Sequence, residues 1–175
     1  MRILHTSDWH LGQHFMGKSR QAEHQALIDW LLTQVVEHTV DAVLIAGDIF
    51  DTGAPPSYAR ELYNNLVVRL QSAGVALLLL GGNHDSVAVL GESRSLLACL
   101  GTTVVPAADN PAAQVCVLPR RDGEAGCVVC AIPFIRPRDV LHSQAGQSAE
   151  DKQLSLQVAI QAHYQAVFDA ASARR

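Results

Sequence analysis

The chain has 175 residues, 49% hydrophobic and 17% charged, with a formal net charge of -4. That length holds one domain with a buried core. The acidic balance excludes a protein that coats nucleic acid by bulk electrostatics, while leaving DNA open as a substrate met through bound cations. The longest apolar stretch, residues 75–80, is far too short to span a bilayer, and Arg2, His5 and Asp8 interrupt the N-terminus where a secretion signal needs an unbroken apolar run. A soluble cytoplasmic protein with no membrane association is expected.

Residues 2–6 read as a short strand running directly into Ser7-Asp8-Trp9-His10. Residues 19–39 follow as a helix, with Leu27, Trp30, Leu31 and Val35 as its apolar repeat and Ser19 as its cap. A second strand over 41–46 ends at Gly47-Asp48. Pro55, Pro56 and Ser57 open a helix with Leu62, Leu66 and Leu70 on one stripe, which closes before Gly74. A third strand over 75–80 ends at Gly81. All three strands are continuous apolar runs, the pattern of strands covered on both faces. Alternation of strand and helix implies a parallel sheet with right-handed crossovers, whose ligands gather outside the carboxyl ends of the strands.

A short helix over 92–100 comes next, then extended pieces at 103–105, 114–118 and 127–132. Asp122-Gly123 is a turn signal that makes the last two a hairpin. Residues 150–173 read as a final helix with Leu154, Val158, Tyr164 and Phe168 among its apolar positions. The four cysteines lack the dense spacing of a disulfide framework and are expected reduced. Cys127 and Cys130 form a C-x-x-C that reads as strand, with no second such pair to complete a zinc site. Arg120 with Arg121, and Arg136 with Arg138, either add positive potential for phosphates or form solvated surface.

Three clusters hold nearly every residue able to bind a hard divalent metal: Asp8-x-His10, Gly47-Asp48-x-x-Asp51 and Gly82-Asn83-His84-Asp85. Each follows a strand end. Carboxylate and amide oxygens with imidazole nitrogen make a mixed set suited to manganese, iron or zinc more than to calcium or magnesium. Asp8 and His10, two residues apart on an extended backbone, would turn to the same side and grip one ion. Asp48 has two oxygens with which to bridge two ions, and Asn83 offers a neutral oxygen to the second; such a pair can clamp both oxygens of an in-line phosphoryl displacement. His84 is placed to stabilise charge or protonate the leaving oxygen, with Asp51 orienting its imidazole. Of the other histidines, His14 follows the Asp-x-His loop and can face substrate, whereas His24 and His38 read as packed or surface residues and His5, His142 and His163 have no such setting.

Alone, Asp-x-His or Gly-Asp-x-x-Asp is an ordinary loop. In this order, each at a strand end with helices between, the three resemble a calcineurin-like metallophosphoesterase. Residues 1–12, Ala46-Gly-Asp-Ile-Phe-Asp-Thr-Gly53, Pro55-Pro-Ser-Tyr-Ala-Arg60, Gly82-Asn-His-Asp-Ser86, Leu118-Pro-Arg-Arg-Asp-Gly123 and Ile132-Pro-Phe-Ile-Arg-Pro-Arg-Asp139 more closely resemble the SbcD nuclease family, over essentially the whole chain. The resemblance implies an α/β fold, the metallophosphoesterase sandwich with its βαβαβ start, and a two-metal, manganese-dependent nuclease that processes DNA ends and hairpins. It further implies an SbcC ATPase partner with a long coiled coil, and a second copy of the chain paired through helices matching 57–73 and 92–100, with Leu62, Leu66, Leu96 and Leu97 either at that interface or in the core.

By the same resemblance Asp8, His10, Asp48 and Asn83 are metal ligands and His84 is the catalytic histidine, while Asp51 stands where archaeal and eukaryotic relatives carry a histidine. The family completes its site with histidines from a later Gly-His and a Gly-His-x-His. This sequence contains no Gly-His dipeptide. The expectation is therefore that residues 1–175 are the N-terminal part of the nuclease domain, lacking its second half and partner-binding segments, with little or no activity alone. Two other readings compete: a metallophosphoesterase acting on nucleotides, phosphoproteins or lipid precursors, and a non-catalytic, dimerising fragment.

Overall fold

The structure, a computed structural model, describes residues 1–141 and 148–174. Strand β1 (Ile3–Thr6) is followed by a small hairpin of β2 (His14–Phe15) and β3 (Lys18–Ser19), then helix α1 (Gln21–Glu37), strand β4 (Ala42–Ala46), helix α2 (Ser57–Ser72) and strand β5 (Ala76–Leu80). Helices α3 (Val87–Glu92) and α4 (Arg94–Cys99) lead to β6 (Thr102–Val105). A 3-10 turn at Pro111–Gln114, the hairpin β7 (Val115–Pro119) and β8 (Ala125–Cys130), and helices α5 (Pro137–Val140) and α6 (Ala149–Ser172) complete the chain.

Four strands make a parallel sheet in the order β1-β4-β5-β6. Thr6 pairs with Ile45, and Ala46 with Leu80, so the chain leaves β1, β4 and β5 along one edge. This register is what brings the three polar clusters side by side. Alternation along the strands divides the sheet's faces. Val43, Ile45, Leu77, Leu79 and Val104 pack under Ile28, Leu31 and Val35 of α1 and Leu62, Leu66 and Leu70 of α2. Ala42, Leu78, Leu80 and Val105 face Leu118 of β7 and Ala131 just past β8. Two covered faces explain the unbroken apolar runs of β4 and β5, where each fully buried leucine contributes about 2 kcal/mol. Strand β1, at the edge of the sheet, has no buried residue, so the expectation that it too is covered on both faces does not hold.

Several expectations need correction. In α1 the buried stripe is Ile28, Leu31, Leu32 and Val35, joined by His24, whereas Trp30 is largely exposed. The apolar face is centred one position away from the one read from Leu27 and Trp30. Ser19 lies in β3, and the N-cap of α1 is Arg20, although Ser19 Oγ does accept a bond from Gln21 N at 3.2 Å. The single helix expected over 92–100 is two helices, the first starting earlier because Ser86 Oγ caps it by accepting from Val89 N at 3.3 Å.

In α6, Leu154, Val158, Tyr164 and Phe168 are all more than half exposed, and the face turned inward carries His163, Val167 and Ala171. That narrow stripe is set by small side chains and by His163 Nε2, 3.0 Å from Oε1 of the fully buried Gln114. Leu62, Leu66 and Leu97 are core, leaving Leu96 as the exposed member of the four proposed for pairing of copies.

The four cysteines are free. Cys127 and Cys130, three apart within β8, point to opposite faces of the hairpin. Among the described residues no helix is long and apolar enough to cross a membrane.

Candidate metal centre

The loops leaving β1 and β4 are stitched together by backbone bonds: Asp8 N to Gly47 O at 3.1 Å, His10 N to Asp48 O at 2.9 Å and Leu11 N to Ile49 O at 2.9 Å. These bonds hold Asp8, His10 and Asp48 in the left-handed region, at φ of 58°, 48° and 50°. Each such residue costs roughly 1–2 kcal/mol, and strain of this kind is held where function fixes the geometry. The extended backbone expected between Asp8 and His10 is thus absent, and it is the left-handed turns that aim both side chains at one place.

The ligating atoms of Asp8, His10 and Asp48 all lie within 4.8 Å of one another, as do those of His10, Asp51 and His84. His10 belongs to both groups. Its Nε2 is 3.9 Å from Asp48 Oδ2 and its Nδ1 is 3.3 Å from Asp51 Oδ1. Nδ1 is nevertheless buried without an aligned hydrogen bond. An imidazole whose nitrogens face Asp48 on one side and Asp51 on the other, with Asp8 in the first group and one nitrogen buried without a hydrogen bond, is a donor set that fits a divalent cation. Asn83 lines the same cleft as Asp8 and Asp48, about 320 Å³ in volume, whose other wall includes Ile132, Phe134 and Tyr164.

His84 is exposed, and its ring meets that of His10 edge to face, centroids 4.8 Å apart. Its Nδ1 donates to the backbone carbonyl of Asp51 at 2.8 Å. A carbonyl can only accept, so the Nδ1 proton is fixed and Nε2 is left free. Asp51 therefore orients His84 through its main chain, while its carboxylate turns to His10. That carbonyl bond, helped by the charges of Asp48, Asp51 and Asp85, raises the His84 pKa above the ordinary imidazole value.

Sequence reasoning assigned no role to Asp85, and the structure gives it one. Its buried carboxylate accepts from Gly82 N at 2.8 Å, Phe50 N at 2.9 Å and Ile49 N at 3.2 Å, tying the loop after β4 to the loop after β5. Asp48 Oδ1 adds a bond from His84 N at 3.0 Å. The loops approach so closely that a Cβ on Gly82 would overlap Asp48 Oδ1 and its backbone nitrogen. The signal for Asp85 was present: a carboxylate three residues after a glycine in a tight loop can close that loop on itself.

The remaining histidines stand apart. His14 Nδ1 lies 3.1 Å from Gly12 O, His5 and His38 are exposed, and His24 is buried on α1, where desolvation lowers its pKa. His142 lies outside the described residues. Of the arginine pairs, Arg120, Arg121 and Arg138 are exposed, as the solvated-surface reading has it, whereas Arg136 is half-buried. Arg121 donates to the carbonyls of Val40 and Val35, and Arg136 turns inward toward the loop after β5.

A family model described as calcineurin-like phosphoesterase matches residues 1–115. Similar curated proteins are named as the SbcD subunit of the nuclease SbcCD. The one from Escherichia coli (strain K12) is 61% identical over 165 residues, 94% of this chain and 40% of the relative. That from Rhodobacter capsulatus is 35% identical over 148 residues, 80% of this chain and 36% of the relative. That from Bacillus subtilis is 42% identical over 87 residues, 49% of this chain and 22% of the relative. The chain thus spans about two-fifths or less of the length of these relatives. The matched residues 1–115 contain all three strand-end loops, and with them the chain belongs to the calcineurin-like phosphoesterase family.

Proposed function

We propose that this chain carries the metal-binding loops of a DNA phosphodiesterase, the SbcD component of an SbcCD-type nuclease acting with an SbcC ATPase on DNA ends and hairpins. One observation carries the reading: two donor groups sharing His10, at the carboxyl edge of a parallel sheet. The naming of the relatives supports the nuclease assignment. In this reading Asp8, His10 and Asp48, with Asn83 beside them, hold two divalent ions, and the mixed oxygen and nitrogen donors favour manganese. Bound ions would supply Lewis-acid polarisation of the phosphodiester and neutralise charge developing on its oxygens.

The chain's own residues do the rest. Asp48 braces the loop after β5 by accepting from His84 N, keeping Asn83 and His84 at the cleft. His84, held by the Asp51 carbonyl, keeps Nε2 directed away from that bond. From Nε2 it passes a proton to the departing oxygen as the phosphorus–oxygen bond breaks; the water whose oxygen adds to phosphorus loses one proton to solvent, and the imidazole regains one from solvent for the next turnover. Its raised pKa keeps more of the protonated form near neutrality. The protein works in the cytoplasm, where its free cysteines stay reduced.

The test compares cleavage of a hairpin DNA and of a small chromogenic phosphodiester in manganese, magnesium and zinc, with enzyme in excess. The 175-residue chain alone is expected to be slow, because each ion has few protein donors. Cleavage should need manganese, disappear in Asp48→Asn and fall by about 100-fold or more in His84→Ala. Hydrolysis that survives chelator or Asp48→Asn would refute the site. Cleavage of nucleotides or phosphoproteins but not DNA would assign a different phosphoesterase.

A further inference from the structure

Segment 134–136 lies beyond the residues matched by the family model, yet it crosses the loop that carries Asn83 and His84. Phe134 N donates to Gly81 O at 2.8 Å. Arg136 Nη2 donates to Gly82 O and to Asp85 O, both at 2.9 Å, so its two hydrogens are spent on the two ends of the loop. The guanidinium carbon lies 5.7 Å from the centre of the Phe134 ring, and Nη1 is buried with no partner among the described residues. The arginine's backbone is itself held, since Asp139 Oδ2 accepts from Arg136 N at 3.1 Å at the start of α5.

We propose that Arg136 is a positioning residue for the metal centre: by gripping the carbonyls of Gly82 and Asp85 it fixes the loop that presents Asn83 and His84. The inference deepens the phosphodiesterase reading and rests on it for its functional meaning. Asp85 closes the loop from within by accepting from Gly82 N, but the carbonyls of Gly82 and Asp85 need donors, and Arg136 brings them from elsewhere in the chain. A charged, planar donor supplies both with one atom, which a lysine ammonium on a flexible stem does less well. Arg138, whose side chain is 75% exposed, has no such task.

The experiment uses hydrogen exchange of the 175-residue chain without metal, with Arg136→Ala, Arg136→Lys and, as control, Arg138→Ala. In Arg136→Ala the Gly82 and His84 amides should exchange at least about tenfold faster while β4 and β5 keep their protection. Arg136→Lys should fall between parent and alanine, and Arg138→Ala should match the parent. Manganese affinity followed by paramagnetic resonance should drop about 10–100-fold in Arg136→Ala. If the alanine variant does not fold, the lysine variant decides by the same two readouts.

Unchanged exchange at Gly82 and His84 overturns the proposal, even if the parent binds manganese and cleaves DNA. Faster exchange in a protein whose parent binds no manganese supports the clamp and refutes the phosphodiesterase reading instead.

Discussion

Asp85 is the residue whose loss should be felt most. It is 4% exposed, and its carboxylate accepts three backbone N–H bonds that join two loops. Replacing it with alanine removes all three and leaves the buried donors unpaired. Hydrogen bonds to a charged group are worth about 1.5–3 kcal/mol each. The variant should therefore lose on the order of 4 kcal/mol or more, a large part of the stability of a domain this size.

Asparagine is the informative change, because it keeps the shape and one accepting oxygen but presents an amide NH2 to donors that need an acceptor. Its cost should be about 2–3 kcal/mol, or roughly a 4–12 °C fall in melting temperature. Thermal melting followed by near-ultraviolet circular dichroism measures this, and hydrogen exchange at Ile49, Phe50 and Gly82 locates it. A melting temperature within about 2 °C of the parent, with those amides still protected, would refute the role given to Asp85.

Other changes probe the remaining contacts. Gly82→Ala should push the two loops apart, because the clash is with Asp48's backbone as well as its side chain; a variant that melts like the parent and binds manganese equally well would show the approach is not needed. Proton resonance titration of His84 without metal should give a pKa above the ordinary imidazole value, and Asp51→Asn, which keeps the carbonyl, should lower it only in part. Because the folded pKa is raised, this group's contribution to stability is fully present below the unfolded pKa and lost as pH rises through the folded one. A return to the ordinary value in Asp51→Asn would mean that the carboxylate, not the carbonyl, holds the ring. His163→Leu should cost about 1–3 kcal/mol in urea unfolding by stranding Gln114, and His163→Leu with Gln114→Leu should recover much of that; additive losses would deny the coupling.

The parallel sheet was legible because β4 and β5 are unbroken apolar runs that stop at Gly47-Asp48 and at Gly81-Gly82. Strand ends and polar clusters coincide there, so the gathering of Asp8, His10, Asp48 and His84 could be read before any fold was known. What could not be read depends on contacts distant in sequence. Trp30 and Leu27 fit a helical repeat as well as Ile28 and Leu32 do, and only the docking of α1 on the sheet decides between them. The face of α6 is chosen by Gln114, 49 residues before His163. The left-handed turns at Asp8, His10 and Asp48 fall on residue types that tolerate them better than most, but what fixes them is the bonding to the partner loop, which the sequence does not display. Arg136 looked like surface charge because its acceptors are main-chain carbonyls, which leave no mark in a sequence.

Uptake of manganese by the purified chain, titrated by paramagnetic resonance beside Asp8→Asn and Asp48→Asn, bears on the metal centre without any intervening step. Uptake by the parent should be saturable, even if weak, and should be lost in both variants while their circular dichroism stays native. No saturable uptake by the parent, or equal uptake by folded Asp48→Asn, would rule the metal centre out.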